Sequence, residues 1–103
     1  MSRLAQLEKL RAADPDDPDV AYMIAQEHAK LGDVPAAVHW YDTCLALNGS
    51  YHYAYFHKAK ALESAGDLDK ARATLEAGLE RAKKDGNAKA LNEISAYLFE
   101  LRA

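Results

Sequence analysis

Apolar residues along this chain recur every three or four positions, and nowhere do they alternate with polar ones over the length of a strand. Leu4, Leu7 and Leu10 share one stripe, Ile24 and Leu31 another, and Val38, Tyr41 and Leu45 a third. Near the end Leu91, Ile94, Leu98 and Leu101 repeat in a heptad-like manner. Each stripe lets a helix bury one face and solvate the other. The punctuation between stripes is helical as well. Asp14-Pro15-Asp16-Asp17-Pro18-Asp19 cannot continue a helix and supplies N-cap and first-turn residues for the next one. Leu31-Gly32-Asp33 and Ala65-Gly66-Asp67 each read as a terminating glycine followed by an Asp N-cap. Asn48-Gly49-Ser50 and Asp85-Gly86-Asn87 read as closing two further helices in the same way. The pattern predicts six helices, at about residues 2–13, 18–31, 34–47, 51–65, 68–84 and 87–102.

Composition strengthens the helical reading. Alanine is abundant, with leucine, glutamate and lysine, while Val and Ile together number five, so helix formers outweigh the β-branched residues that suit strands. At 103 residues the chain supports one all-α domain with a modest core. The chain also matches itself. A shift of 34 residues lays Gly32-Asp33 on Gly66-Asp67, Ala25 on Ala59, Ala37 on Ala71 and Leu45 on Leu79. Tyr22 falls on Phe56, Val34 on Leu68, Asp42 on Glu76 and Cys44 on Gly78. Glycine makes the turn, and the alanines let two antiparallel helices approach closely.

The stretch 18–85 resembles two tandem tetratricopeptide repeats, a family built from a 34-residue helix–turn–helix unit. The resemblance rests on Ala25, Gly32, Asp33, Ala37, Tyr41 and Cys44 in the first unit. In the second it rests on Tyr55, Ala59, Gly66, Asp67, Ala71, Leu75 and Gly78. It implies a short right-handed α-solenoid of antiparallel helix hairpins, one domain over 1–103. An N-terminal half-repeat helix and turn would occupy 1–17, the repeats 18–51 and 52–85, and a C-terminal capping helix 86–103, displaced by about two residues in the loop at 83–87. The sequence departs from the family pattern at Ala21, where a large aromatic is frequent, and at Lys58, where an apolar residue is usual. Gly49 and Lys83 stand where each unit often closes with proline.

In the family, the first helices of successive repeats line a concave groove for a peptide or a helix of another protein. Carried over residue by residue, the groove comprises Asp19, Tyr22, Met23, Gln26 and Lys30, then Tyr53, Phe56, His57, Lys60, Glu63 and Ser64, with Asn92 and Ala96 from the closing helix. Spacing alone puts Tyr53, Phe56, Lys60 and Glu63 on a different face of their helix from Tyr55, Ala59 and Leu62, and only one of these faces can be the core. Tyr53 and Phe56 therefore either anchor a partner or pack against neighbouring helices. One subclass of the family holds a C-terminal carboxylate with Lys and Asn. Here Tyr22, Gln26, Tyr53 and His57 occupy those places, so a ligand with a free C-terminus is not expected. The expectation is a non-catalytic protein-interaction module, with structural self-association or one segment of a longer repeat scaffold as the alternative.

Charge and candidate chemistry narrow this further. Thirteen basic against sixteen acidic residues, net −3, argues against nucleic acid. No apolar run is long enough for a membrane span, the first residues lack the apolar stretch of a signal peptide, and one cysteine fits a reducing compartment; a cytoplasmic location is expected. His52 and His57 lie five apart, on different faces, and His28 and His39 belong to different helices, so no metal and no cofactor are expected. Cys44 falls in a small-residue slot and reads as a buried inert thiol. Ser50 and Ser64 show no triad in sequence, which leaves only a spatial one open. Lys58 reads as an ammonium reaching the surface along its apolar stem. Trp40 reads as core packing, with an outer-face contact as the alternative. Phe99 raises a homodimer through the last helix, truncation from a longer array, or a plain solvated cap.

Overall fold

The structure, a computed structural model, describes residues 2–102. Six helices follow one another: α1 (Arg3–Ala13), α2 (Pro18–Lys30), α3 (Val34–Leu47), α4 (His52–Ser64), α5 (Leu68–Asp85) and α6 (Ala88–Arg102). Every predicted end lies within one residue of the observed one. The side chains of Ser2, Asp17, Asp33, Asp67 and Asn87 accept backbone N–H groups that the following helix leaves free. α2, α4 and α5 end at Gly32, Gly66 and Gly86, with φ of 78°, 81° and 67°. In the first, the Asp33 N–H donates to the His28 carbonyl; the other two repeat this bond, which a side-chain-bearing residue in the left-handed turn would strain.

Gly49 corrects one expectation. It is not in the left-handed region, so α3 does not end in a glycine turn; Asn48, in an extended conformation, closes it. Gly49 is small for another reason. A Cβ there would lie 2.6 Å from the Arg81 guanidinium, which α5 passes across this loop to donate to the Ser50 hydroxyl at 3.0 Å.

Each helix packs on the next in sequence, and in addition α2 touches α4 and α4 touches α6. Among the described residues the backbones of α1 and α3, and of α3 and α5, do not approach each other in this way; only side chains such as Arg11 and Trp40 meet. A stack whose even-numbered helices approach more closely than its odd-numbered ones is bent, with α2, α4 and α6 on the inside. The fold is a helical-hairpin solenoid.

Small residues set the close approaches. Ala25 and Ala37 are fully buried in a cluster shared by α2, α3 and α4, and Ala59 and Ala71 in one shared by α4, α5 and α6. Ala21, the departure from the expected aromatic, is buried in the first cluster together with Cys44. The second hairpin reverses these sizes. Tyr55 stands where Ala21 does, and opposite it Gly78 has replaced the thiol: a Cβ on Gly78 would come within 2.8 Å of the Tyr55 Cβ. One hairpin thus sets two small residues against each other where the next sets a large one against none. Lys58, the other departure, extends its ammonium to Asp42 on α3 at 2.7 Å, so it ties α3 to α4 at their surface. Trp40 packs with Leu4 and Met23 in a third cluster against α1, and the Arg11 guanidinium covers its ring at 4.7 Å.

Candidate partner-binding face

The inner face carries a continuous run of aromatic rings. Tyr22 on α2 lies 4.9 Å from Tyr51, which precedes α4, and 5.9 Å from the His57 ring on α4. His57 in turn lies 6.4 Å from Tyr53 and 5.5 Å from Phe56, and Phe56 meets Tyr97 of α6 at 5.0 Å. The run crosses all three inner helices. Its lower layer belongs to the fold: Tyr97 is buried, and Tyr22, Tyr51, Phe56 and His57 are half-buried. Tyr53 stands out of it, 48% exposed. Fixed rings presenting one open edge make a rigid amphipathic surface of the kind that fills partner pockets at small entropic cost.

Polar contacts hold these rings in place. The Tyr51 hydroxyl donates to Asp19 at 2.8 Å, and the Tyr97 hydroxyl to Glu63 at 2.5 Å. Gln26 donates to the Tyr22 hydroxyl at 3.1 Å. Burial pushes the Tyr22, Tyr51 and Tyr97 hydroxyls up, and the bonds to Asp19 and Glu63 act in the same direction on the latter two, so all three hydroxyls keep their protons at neutral pH. Burial lowers His57, assisted by the Lys60 ammonium, and keeps its ring uncharged among its aromatic neighbours.

The thirteen residues named for the groove therefore divide. Tyr22, Tyr53, Phe56 and His57 form the aromatic run. Asp19, Gln26 and Glu63 bond the hydroxyls of its tyrosines. Lys60 lies above the Phe56 ring at 5.4 Å and is exposed. Lys30 pairs with Glu27 at 3.3 Å, Met23 packs toward α1, and the Ser64 hydroxyl donates to the Ala61 carbonyl at the end of α4. Asn92 and Ala96 are exposed on α6. Sequence reasoning missed Tyr51, Lys89 and Glu93. Tyr51 precedes its helix, where no periodicity reports it. Lys89 and Glu93 were legible: carrying the two-residue displacement through the whole of α6 places them where Tyr53 and His57 stand on α4.

Between α4 and α6 the face is recessed. A cavity of about 360 Å³ opens near the start of both helices, walled by Tyr51, Tyr53, Phe56 and Ile94 and rimmed by Asn48 and Asn87. A second, of about 540 Å³, lies farther along and is lined by Lys60, Glu63, Glu93 and Glu100. Phe56 and Glu93 border both, so the two form one groove.

This arrangement is that of a repeat solenoid with an aromatic inner face, and sequence comparison decides the family. The tetratricopeptide repeat model matches residues 4–51 and again 22–88. The chain belongs to the tetratricopeptide repeat family. A TPR repeat-containing protein of Pseudomonas aeruginosa is 28% identical over 95 residues, 92% of this chain and 90% of that protein. Among solved structures, a tetratricopeptide repeat domain protein from Salinibacter ruber is 30% identical with a TM-score of 0.77, over 85% of this chain and 89% of that one. A Bordetella parapertussis protein superposes with a TM-score of 0.83 at 24% identity, over 99% of this chain and 89% of its own.

One polar cluster invites a catalytic reading. His52 Nε2 lies 2.8 Å from Asp85, which Ser50 and Arg81 also bond, and these contacts, that of Ser50 foremost, hold the Asp85 carboxyl below its usual range. The order is wrong for a triad. The carboxylate stands between serine and imidazole, so His52 has no contact through which to take the serine proton. Its other nitrogen is also committed. Asn87 Oδ1 caps α6 by accepting the Ala90 N–H, which turns its NH2 toward His52 Nδ1 at 3.2 Å; the neutral ring then carries its proton on Nε2, facing Asp85. The cluster joins the start of α4 to the end of α5 and the start of α6. Among the described residues no three His, Cys, Asp or Glu side chains are placed to hold a metal, and no helix is long and apolar enough to cross a membrane.

Proposed function

We propose that this chain is a non-catalytic protein-interaction module that takes a segment of a partner protein on its inner face. Tyr53 and Phe56 serve as anchors, Tyr22 and His57 as the floor beneath them, and Lys60 and Glu63 border the site. Asp19, Met23, Gln26, Lys30, Ser64 and Asn92 form the periphery and supports of the same face. The observation that carries the reading is the aromatic run itself: a protein with no use for this face would gain nothing by leaving Tyr53 exposed at the mouth of an apolar-walled recess. The fold agrees. PcrH, solved in complex with the chaperone binding region of PopD, superposes with a TM-score of 0.85 at 18% identity, and yeast Sti1 TPR2B, solved as a complex with pHsp70, with 0.86 at 20%. Tyr22, Gln26, Tyr53 and His57 stand where one subclass of the family holds a C-terminal carboxylate, which favours a segment that offers no free C-terminus. No cofactor is required, and a cytoplasmic location suits the reduced thiol.

The test is a comparative pull-down with wild type, the Tyr53→Ala/Phe56→Ala double variant and, as a control on α5, Glu76→Ala. Loss of the captured partner from the double variant alone, with thermal melts showing all three folded, is the expected result. A partner retained equally by all three overturns the site.

A second reading has its own observation. Phe99 is 75% exposed on α6, which has no following helix among the described residues. Self-association through α6 would cover it. Sedimentation of wild type as a dimer and of Phe99→Ser as a monomer is the outcome this reading requires.

A further inference from the structure

We propose that the groove between α4 and α6 selects an extended segment in which a long apolar or aromatic side chain and a Lys or Arg stand three residues apart. The proposal rests on the partner-binding reading above and specifies its ligand. The two ends of the groove differ in chemistry. The recess near the helix starts has apolar walls of Tyr51, Phe56 and Ile94, suited to a large apolar side chain. The other end is acidic: Glu63, Glu93 and Glu100 line it against the single cation Lys60. Glu63 has the Tyr97 hydroxyl, but among the described residues neither Glu93 nor Glu100 has a cation within ion-pair distance. Lys60 lies over the Phe56 ring and neutralises none of them. A positive side chain from outside completes this end; an acidic one is repelled.

Spacing follows from the scaffold. Tyr53 at one end and Lys60 at the other are seven residues apart on α4, about 10 Å at 1.5 Å per residue. A polyproline-II segment returns to the same face every three residues, about 9 Å. A β-strand returns every second residue, at about 7 Å, which falls short. A helical segment would need seven residues. The extended form is favoured by the rim, where the Asn48 carboxamide and the Tyr53 hydroxyl can bond free backbone groups that a helix does not offer.

The experiment is selection of a display library of short random peptides, embedded between constant linkers so that no free C-terminus is offered, on the full chain. Enriched sequences are expected to carry Lys or Arg three residues from an aromatic or long aliphatic residue. The Glu93→Gln/Glu100→Gln variant, whose carboxylates have no partner in the fold, should melt like wild type and bind the best peptide about five- to tenfold more weakly. Enrichment of acidic or uncharged peptides, a seven-residue spacing, or unchanged affinity in that variant overturns the proposal while leaving the partner-binding face intact. Peptides that bind the Tyr53→Ala/Phe56→Ala variant as well as wild type, or no enrichment at all, overturn the partner-binding reading itself.

Discussion

Replacing Gly78 by alanine adds one methyl group to the middle of α5, and its effect on stability can be worked out from the geometry. In an unhindered helix interior the change stabilises by about 1 kcal/mol, because glycine loses more backbone entropy than alanine. Here the new Cβ would lie 2.8 Å from the Tyr55 Cβ, 2.9 Å from its Cγ and 3.2 Å from the Ile94 Cδ1. The Tyr55 Cβ is fixed to the α4 backbone and cannot swing aside. α4 must retreat by roughly half an ångström to restore ordinary contact, which loosens its packing on α5 and α6 together; overpacking of this kind costs about 1–3 kcal/mol. The overpacking outweighs the propensity gain, and we expect Gly78→Ala to destabilise by about 1 kcal/mol, a fall of roughly 4–8 °C in Tm. The assay is urea and thermal unfolding followed by far-ultraviolet circular dichroism. Ala77→Gly, at the exposed neighbouring position, calibrates the propensity difference in the same helix turn. A Gly78→Ala protein as stable as wild type, or more so, would refute the close-approach account of this glycine.

Two predictions concern titration. Burial, with Asp19 adding, pushes the Cys44 thiol up from 9.0 to about 12; at pH 8 the native protein should resist thiol reagents and react only at the rate at which it opens, and fast native labelling would refute its burial. Since the folded value is the higher one, the thiol's contribution to stability is complete below pH 9 and is lost as pH rises toward 12, and the raised tyrosines act in the same direction, so urea midpoints should hold to about pH 9 and then fall. His57 behaves oppositely: its folded value lies below 6.5, so its contribution is present above that pH and is lost on acidification through the folded value. Its ring signals in an NMR titration should shift below pH 6.5, and a midpoint at or above 6.5 would contradict its burial against Lys60 and the aromatic run.

The helices, their caps and their pairing were legible because they depend on local rules. A glycine followed by aspartate ends one helix and starts another wherever it occurs, and a 34-residue self-match reports equal hairpins without reference to any contact. The inner face was legible in part: periodicity separated Tyr53 and Phe56 from Tyr55 and Ala59. It could not say that Phe56 is shared between core and groove, since that depends on where Tyr97 of another helix arrives. Gly49 shows the limit from the other side. Its sequence context reads as a terminating turn, yet its size is set by an arginine more than thirty residues away.

The sequence alone determined six helices, their ends and the repeat that stacks them, because hydrogen bonding within helices and caps couples residues a few positions apart. Tertiary structure decided which side chains act together. It set Gly78 against Tyr55 where no side chain fits, turned Ser50, His52 and Asp85 into a structural clasp with no triad order, and gathered Glu63, Glu93 and Glu100 from two helices into one acidic groove end. Packing distances between separate helices fix these outcomes, and a periodicity confined to each helix carries no record of them.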